Sequence, residues 1–231
     1  MVKGGSAARC YRRNLSLSTA LVAVVCATGS QANAQVVTGS GDLNPGPVQS
    51  PNWAVGSDLR IGDVGIGQLN ITAGGTVTND LGTIGNGAAG NGTVTVSGVG
   101  GGGIASTWTN AGDLVVGQSG AGSLSVLDGG KVSSQTGYIA ADMGSQGTVT
   151  VSGVNSNGSA STWTNAGDLY VGYDGAGTLQ VLAGGRVSNV SGNISGGGNA
   201  LISGQGSSWQ SSGRLTVGLF GAGTLRVEDG A

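Results

Sequence analysis

The sequence predicts an all-β chain wound as a right-handed parallel β-helix, a β-solenoid of about four tryptophan-headed repeats. Three observations predict it. The only four tryptophans, Trp53, Trp108, Trp163 and Trp209, stand 55, 55 and 46 residues apart. A fixed period of this length marks stacked or radial supersecondary units. Residue types recur in columns behind each Trp: Gly62, Gly117, Gly172 and Gly218, then Leu69, Leu124, Leu179 and Leu225. Apolar residues alternate with a period of two, and no window carries the i, i+3, i+4, i+7 pattern of a helix.

Residues 1–34 read as a signal peptide. Lys3, Arg9, Arg12 and Arg13 form a basic start, and Leu15–Ala27 is an apolar run. Ala32-Asn33-Ala34 follows as a small-x-small cleavage pattern, which places the mature start at Gln35. The run is too short to span a bilayer. Arg12-Arg13 leaves twin-arginine export open beside the ordinary Sec route. Cys26 lies within the apolar run behind Val25, which is not the setting of a lipoprotein cysteine.

Residues 35–52 contain all three prolines, Pro45, Pro47 and Pro51, among Gly, Ser and Asn. This composition predicts a linker or an irregular N-terminal cap. A solenoid needs its first rung shielded from stray strand pairing, and a cap would do that.

Residues 53–231 are the repeats. Each unit holds about four short strands, or two rungs. Leu114, Val116, Leu124 and Val126 alternate with small or polar neighbours around the turn Gly117-x-x-Gly120-x-Gly122. A second half follows as GTVTVSG at Gly92–Gly98 and Gly147–Gly153, degraded to NALISG at Asn199–Gly204. A β-propeller with one blade per unit would also fit this period. Fewer than four complete units are present, however, and the third is nine residues short; an open stack tolerates both better than a ring. Each rung then needs only a few inward Leu, Val and Ile, because its neighbours complete the burial. That is how a chain with 4% aromatic and 9% charged residues can form a core. The chain stops within the fourth unit, so the repeat array reads as C-terminally truncated.

The segment GDLYVGYDGAGTLQVLAGGRVS at Gly167–Ser188, and the STW at Ser106–Trp108 and Ser161–Trp163, carry a resemblance. They resemble the repeats shared by autotransporter (type V secretion) passengers and PEP-CTERM-associated proteins of Gram-negative bacteria. The resemblance covers roughly Trp53–Ala231. The leader implies the Sec machinery as export partner, and the resemblance implies a β-helical passenger carried out by a C-terminal outer-membrane β-barrel translocator. Neither that barrel nor a PEP-CTERM tail is present in this sequence.

The composition excludes several chemistries. There is no histidine, hence no Ser-His-Asp triad. Both cysteines, Cys10 and Cys26, lie in the leader, which removes thiol chemistry and most zinc sites from the mature chain. The Gly-rich turns have no following helix, so they fail the context of a dinucleotide fingerprint. They carry Gln118, Ser119 and Ala121, with only Asp63 and Asp174 acidic, which is too few carboxylates for calcium nonapeptides. Five basic and eleven acidic residues follow the leader, a balance of −6, which offers no basic patch to nucleic acid. No catalytic, cofactor-binding or metal-binding residue is expected.

Asp58, Asp113 and Asp168 share one column a whole unit apart, which suits turn solvation better than a catalytic pair. Glu228 and Asp229 are adjacent and would face opposite sides of a strand. The Trp column reads as core or corner, with a sugar-stacking platform as the sharper alternative. Any binding is expected on loops that break the repeat, Gly98–Ala105 and Gly153–Ala160.

The functional expectation is an exported, non-catalytic stalk or adhesin, secreted or held at the cell surface, meeting a host surface or an extracellular glycan. Two alternatives stand beside it: the scaffold of a polysaccharide-acting β-helix enzyme, and a PEP-CTERM-type extracellular matrix protein. The leader yields a direct test. Mass spectrometry of the exported chain should find Gln35 at its start; an N-terminus that still bears Arg12 and Arg13 would overturn the signal reading.

Overall fold

The computed structural model describes residues 34–231, so the leader reading for residues 1–33 lies outside the described part. Three sheets of eight, eight and seven strands run along one parallel β-helix. Each of the seven coils contributes one strand to each sheet. Strands of the tryptophan sheet run from Asn52–Ala54 to Ser208–Ser211. Those of the short sheet run from Leu59–Ile61 to Leu215–Val217, and those of the long sheet from Ile66–Thr72 to Thr224–Glu228. Among the described residues there is no α-helix, only a 3-10 turn at Gly101–Gly103. At about 4.8 Å per coil the stack is roughly 30 Å long.

The coils alternate in length. Trp108 pairs with Val132, 24 residues on, and Val132 pairs with Trp163, 31 residues on; together they make the 55-residue unit. The third unit loses nine residues at two corners without breaking the register. Ile194 to Ala200 spans six residues where Ile139 to Val149 spans ten. Ser203 to Ser207 spans four where Ser152 to Ser161 spans nine.

Side-chain volume alternates with length. The tryptophan-sheet column reads Trp53, Val77, Trp108, Val132, Trp163, Val187, Trp209. The short-sheet column reads Leu59, Gly82, Leu114, Gly137, Leu169, Gly192, Leu215. In the long sheet, Leu69, Leu124, Leu179 and Leu225 do share one column, with Val94, Val149 and Ala200 between them. A large coil therefore holds Trp, Leu and Leu, while a small one holds Val, Gly and Val or Ala.

The small coil is what makes room for the indole. A Cβ built on Gly137 would lie 2.7 Å from Trp163 Cζ2 and 2.8 Å from Leu169 Cδ1, and Gly82 and Gly192 meet Trp108 and Trp209 in the same way. A strand glycine costs about 0.5–1 kcal/mol. Burying an indole of 150–250 Å² gains roughly 4–6 kcal/mol at about 25 cal/mol per Å². The exchange favours the pair, and Trp108 and Trp163 are completely buried.

The indole N–H is accommodated as well. Trp108 Nε1 donates to Asn79 Oδ1 at 2.6 Å, Trp163 Nε1 to Ser134 Oγ at 3.2 Å, and Trp209 Nε1 to Asn189 Oδ1. These acceptors belong to a polar ladder at the end of the tryptophan sheet. In it Asn79 Nδ2 donates to Asn110 Oδ1, and Ser134 Oγ to Asn165 Oδ1. Asn165 Nδ2 has no partner, whereas Asn110 Nδ2 donates to the Ser133 carbonyl at 3.1 Å.

The residues before Trp53 cover the first coil. Strand Val36–Gly41 lies antiparallel on Ile66–Thr72, and Leu43–Asn44 lies antiparallel on Leu59–Ile61. Val37 is buried opposite Ile71. The Asp42 carboxylate accepts the amides of Val64 and Gly65 at 2.7 Å each. Those bonds, that from Val64 foremost, hold its pKa below the ordinary carboxylate value. The antiparallel reversal leaves no parallel edge of the long sheet open at this end.

The size exchange is measurable by a double-mutant cycle. Gly137→Ala alone should destabilise by about 1–3 kcal/mol through overpacking. With Trp163→Phe, which removes the opposing ring edge, the combined cost in denaturant unfolding should fall clearly below the sum of the two single costs. Strict additivity would mean that the two residues do not share this space.

Candidate functional site

The repeated residues singled out by sequence lie in the wall and the interior. Trp53, Trp108 and Trp163 are buried, which leaves those rings no face for a sugar; Trp209, on the last described coil, is partly buried. Gly62, Gly117, Gly172 and Gly218 take φ of +70°, +78°, +70° and +84° where the short sheet turns toward the long one. A Cβ on Gly122 would fall 2.3 Å from Gly117 N, so the motif needs its second glycine for close approach. Leu69, Leu124 and Leu179 are fully buried, and Leu225 partly. Ala34 and Gln35 precede the first strand.

The carboxylate column binds backbone. Asp113 Oδ1 accepts the Thr136 amide at 3.0 Å, and Asp168 Oδ1 the Ser191 amide at 2.9 Å, each on the next coil. Asp58 instead faces Arg60 at 3.7 Å on the surface. Among the described residues no three His, Cys, Asp or Glu converge as a metal site.

The two long loops leave the same corner, between the long sheet and the tryptophan sheet. Each is pinched by an antiparallel bridge, Val99 with Ala105 and Val154 with Ala160. A buried serine closes each base. Ser106 Oγ donates to the Ser97 carbonyl at 2.7 Å and accepts the Gly74 amide at 3.0 Å; Ser161 does the same with Ser152 and Gly129. Ser207 repeats this under the shortened loop, with Ser203 and Gly184. In the second loop, Asn155 Oδ1 accepts the amides of Asn157 and Ser159, both at 2.9 Å, an Asx-type turn. The tips, residues 101–104 and 156–159, are exposed.

Sequence reasoning missed the aromatic group on the outer face of the short sheet. The outward column there reads Arg60, Thr83, Val115, Tyr138, Tyr170, Asn193, Thr216. Tyr138 and Tyr170 stack with centroids 5.1 Å apart and planes 7° from parallel. Tyr173, at the following turn, stands nearly perpendicular to both, 5.7 Å and 5.3 Å away. Tyr138 and Tyr173 border a depression of about 360 Å³, floored by Val115 and rimmed by Asp113, Gln118, Asp142 and Asp174. Asp142 is braced by Gln118 Nε2 and Ser119 Oγ. The available signal was compositional: three of the chain's four tyrosines fall at 138, 170 and 173. Alignment by 55-residue units separates 138 from 170, whereas alignment by coils pairs them.

Burial raises the pKa of Tyr138, and the charge of nearby Asp113 raises it further; Tyr170 is raised by burial and then by Asp168. Compared with known proteins, the chain matches no family model, no curated protein and no solved structure.

The tyrosines supply a pH test. Their raised folded-state pKa favours the folded protein below the ordinary phenol value of about 10, and that contribution is lost as pH climbs through the folded pKa. Stability measured by chemical denaturation should decline above about pH 10, and less steeply in a Tyr138→Phe, Tyr170→Phe double variant. Equal slopes would mean that these two phenols ionise as freely as in the unfolded chain.

Proposed function

We propose that this chain is an exported surface passenger of the autotransporter kind, serving as a non-catalytic repeat stalk or adhesin. One observation carries the reading: on the short sheet the repeat is kept inside and abandoned outside. Inward, one residue type recurs at 55-residue spacing, as in Leu69, Leu124 and Leu179 or Gly82, Gly137 and Gly192. Outward on the short sheet the same spacing gives Arg60, Val115 and Tyr170, or Thr83, Tyr138 and Asn193. A constant interior with one variable outer face suits a rod selected for reach and display.

The leader pattern of residues 1–34 and the resemblance of the VGxxGxGxLxV repeats agree with passage through the Sec machinery and then an outer-membrane barrel. A mature chain without cysteine also crosses membranes without forming a disulfide on the way. Host surfaces and extracellular glycans are the partners such a rod would meet. The enzyme-scaffold reading is less favoured, because Asp113 and Asp168 each commit an oxygen to a backbone amide.

The test uses the chain with its own leader, fused ahead of an autotransporter barrel in a Gram-negative host. An epitope placed at the exposed tip of Gly153–Ala160 should be labelled by antibody on intact cells, because loop tips tolerate insertion. A chain kept inside the cell with its leader uncut would sink the proposal. Trimming both long loops to the length of Gly204–Ser207 should preserve the melting temperature, and adhesion lost along with them would place contact on that corner.

A further inference from the structure

We propose that the depression between Val115, Tyr138 and Tyr173 on the short-sheet face is a binding subsite for an uncharged glycan. It deepens the adhesin reading and rests on that reading only for where the glycan is met; binding by the purified chain does not depend on export.

The depression follows from a step in side-chain size between neighbouring coils. Val115 pairs with Tyr138 in the outward column, and Tyr138 pairs with Tyr170. Tyr170 stacks on one face of Tyr138. The depression borders Tyr138 but not Tyr170, so it lies on the side that Tyr170 leaves free, above the short and buried Val115 side chain. Tyr173 forms a second wall at nearly a right angle to the first and is 42% exposed. The stack and the perpendicular contact hold the phenol rings in place before any ligand arrives. Little ordering is therefore left to be done on binding.

The chemistry of the rim selects the ligand. A sugar ring presents C–H groups on one face and hydroxyls around its edge, and aromatic walls with polar rims match both. Asp113, Asp142, Asp174 and the Gln118 amide oxygen offer acceptors to those hydroxyls. Asp142 is oriented by Gln118 and Ser119, and Asp113 by the Thr136 amide, so two of the carboxylates are fixed in direction. Three carboxylates at one rim repel an anionic ligand, so uronic-acid polymers and phosphates are poor candidates. A second shallow depression lies further along the same sheet, bordered by Asp168, Asn193, Arg214 and Thr216.

The experiment is isothermal titration of the purified full chain with maltohexaose, cellohexaose and mannohexaose, and with a hexamer of galacturonate as the anionic probe. At least one neutral hexamer should bind saturably, and the galacturonate hexamer should bind at least about tenfold more weakly or not at all. Tyr173→Ala should weaken the neutral hexamer about tenfold, Tyr173→Phe should keep most of the binding, and Val115→Tyr, which fills the floor, should abolish it. Phe220→Ala, an exposed aromatic away from the depression, should bind as the parent does. Melting temperatures of all four variants separate lost binding from lost folding, and Val115→Tyr keeps the test decisive if Tyr173→Ala unfolds. Silence with all three neutral hexamers overturns the proposal. So does equal binding of the galacturonate hexamer, or full binding by a folded Val115→Tyr variant. Each of these outcomes leaves the surface-labelling test of the rod unaffected.

Discussion

No coil of this protein has a core of its own. Each apolar side chain is covered by the coils before and after it, and the parallel ladder fixes which residue covers which. Trp163 can be buried only because Gly137, paired one coil back with Leu169, has no side chain to occupy the space beneath the ring. This sharing of volume between neighbours sets the period of the chain. A coil needs only 21 to 32 residues to return to register, yet the sequence repeats at 55 because only a large and a small coil together fill the interior.

Polar groups follow the same rule. An indole N–H sealed inside the stack must find an acceptor, and the coil before it supplies one in Asn79, Ser134 or Asn189. The serines before each Trp do likewise for the backbone: Ser106, Ser161 and Ser207 each accept a turn amide of the preceding coil while closing their own loop. A serine at each loop base explains how the third unit can drop five loop residues and still deliver Trp209 to its column.

The fold was legible because its determinants repeat. Trp53, Trp108 and Trp163 fall in one buried column, as do the leucines from Leu69 to Leu179, and both were visible as spacing alone. The half-unit register was harder to read. Nothing in Val77 or Val132 announces that it stacks with Trp, because the partner of an indole is marked by smallness rather than by identity. The tyrosine face was not legible for a related reason. It joins residues of successive coils that occupy different halves of the repeat, and it rests on differences between coils, which a search for sameness discards.

The alternation of large and small coils also governs how such a protein can grow or shrink. Removing one coil would bring two large coils into contact, indole against leucine with no glycine between them, or two small ones around a void. Removing two adjacent coils restores the pattern at the new junction. Gene duplication and recombination can therefore lengthen or shorten this rod only in steps of a whole pair, about 10 Å of reach at a time. The reading frame of its evolution is the pair of coils, although the hydrogen-bonded ladder alone would accept any number.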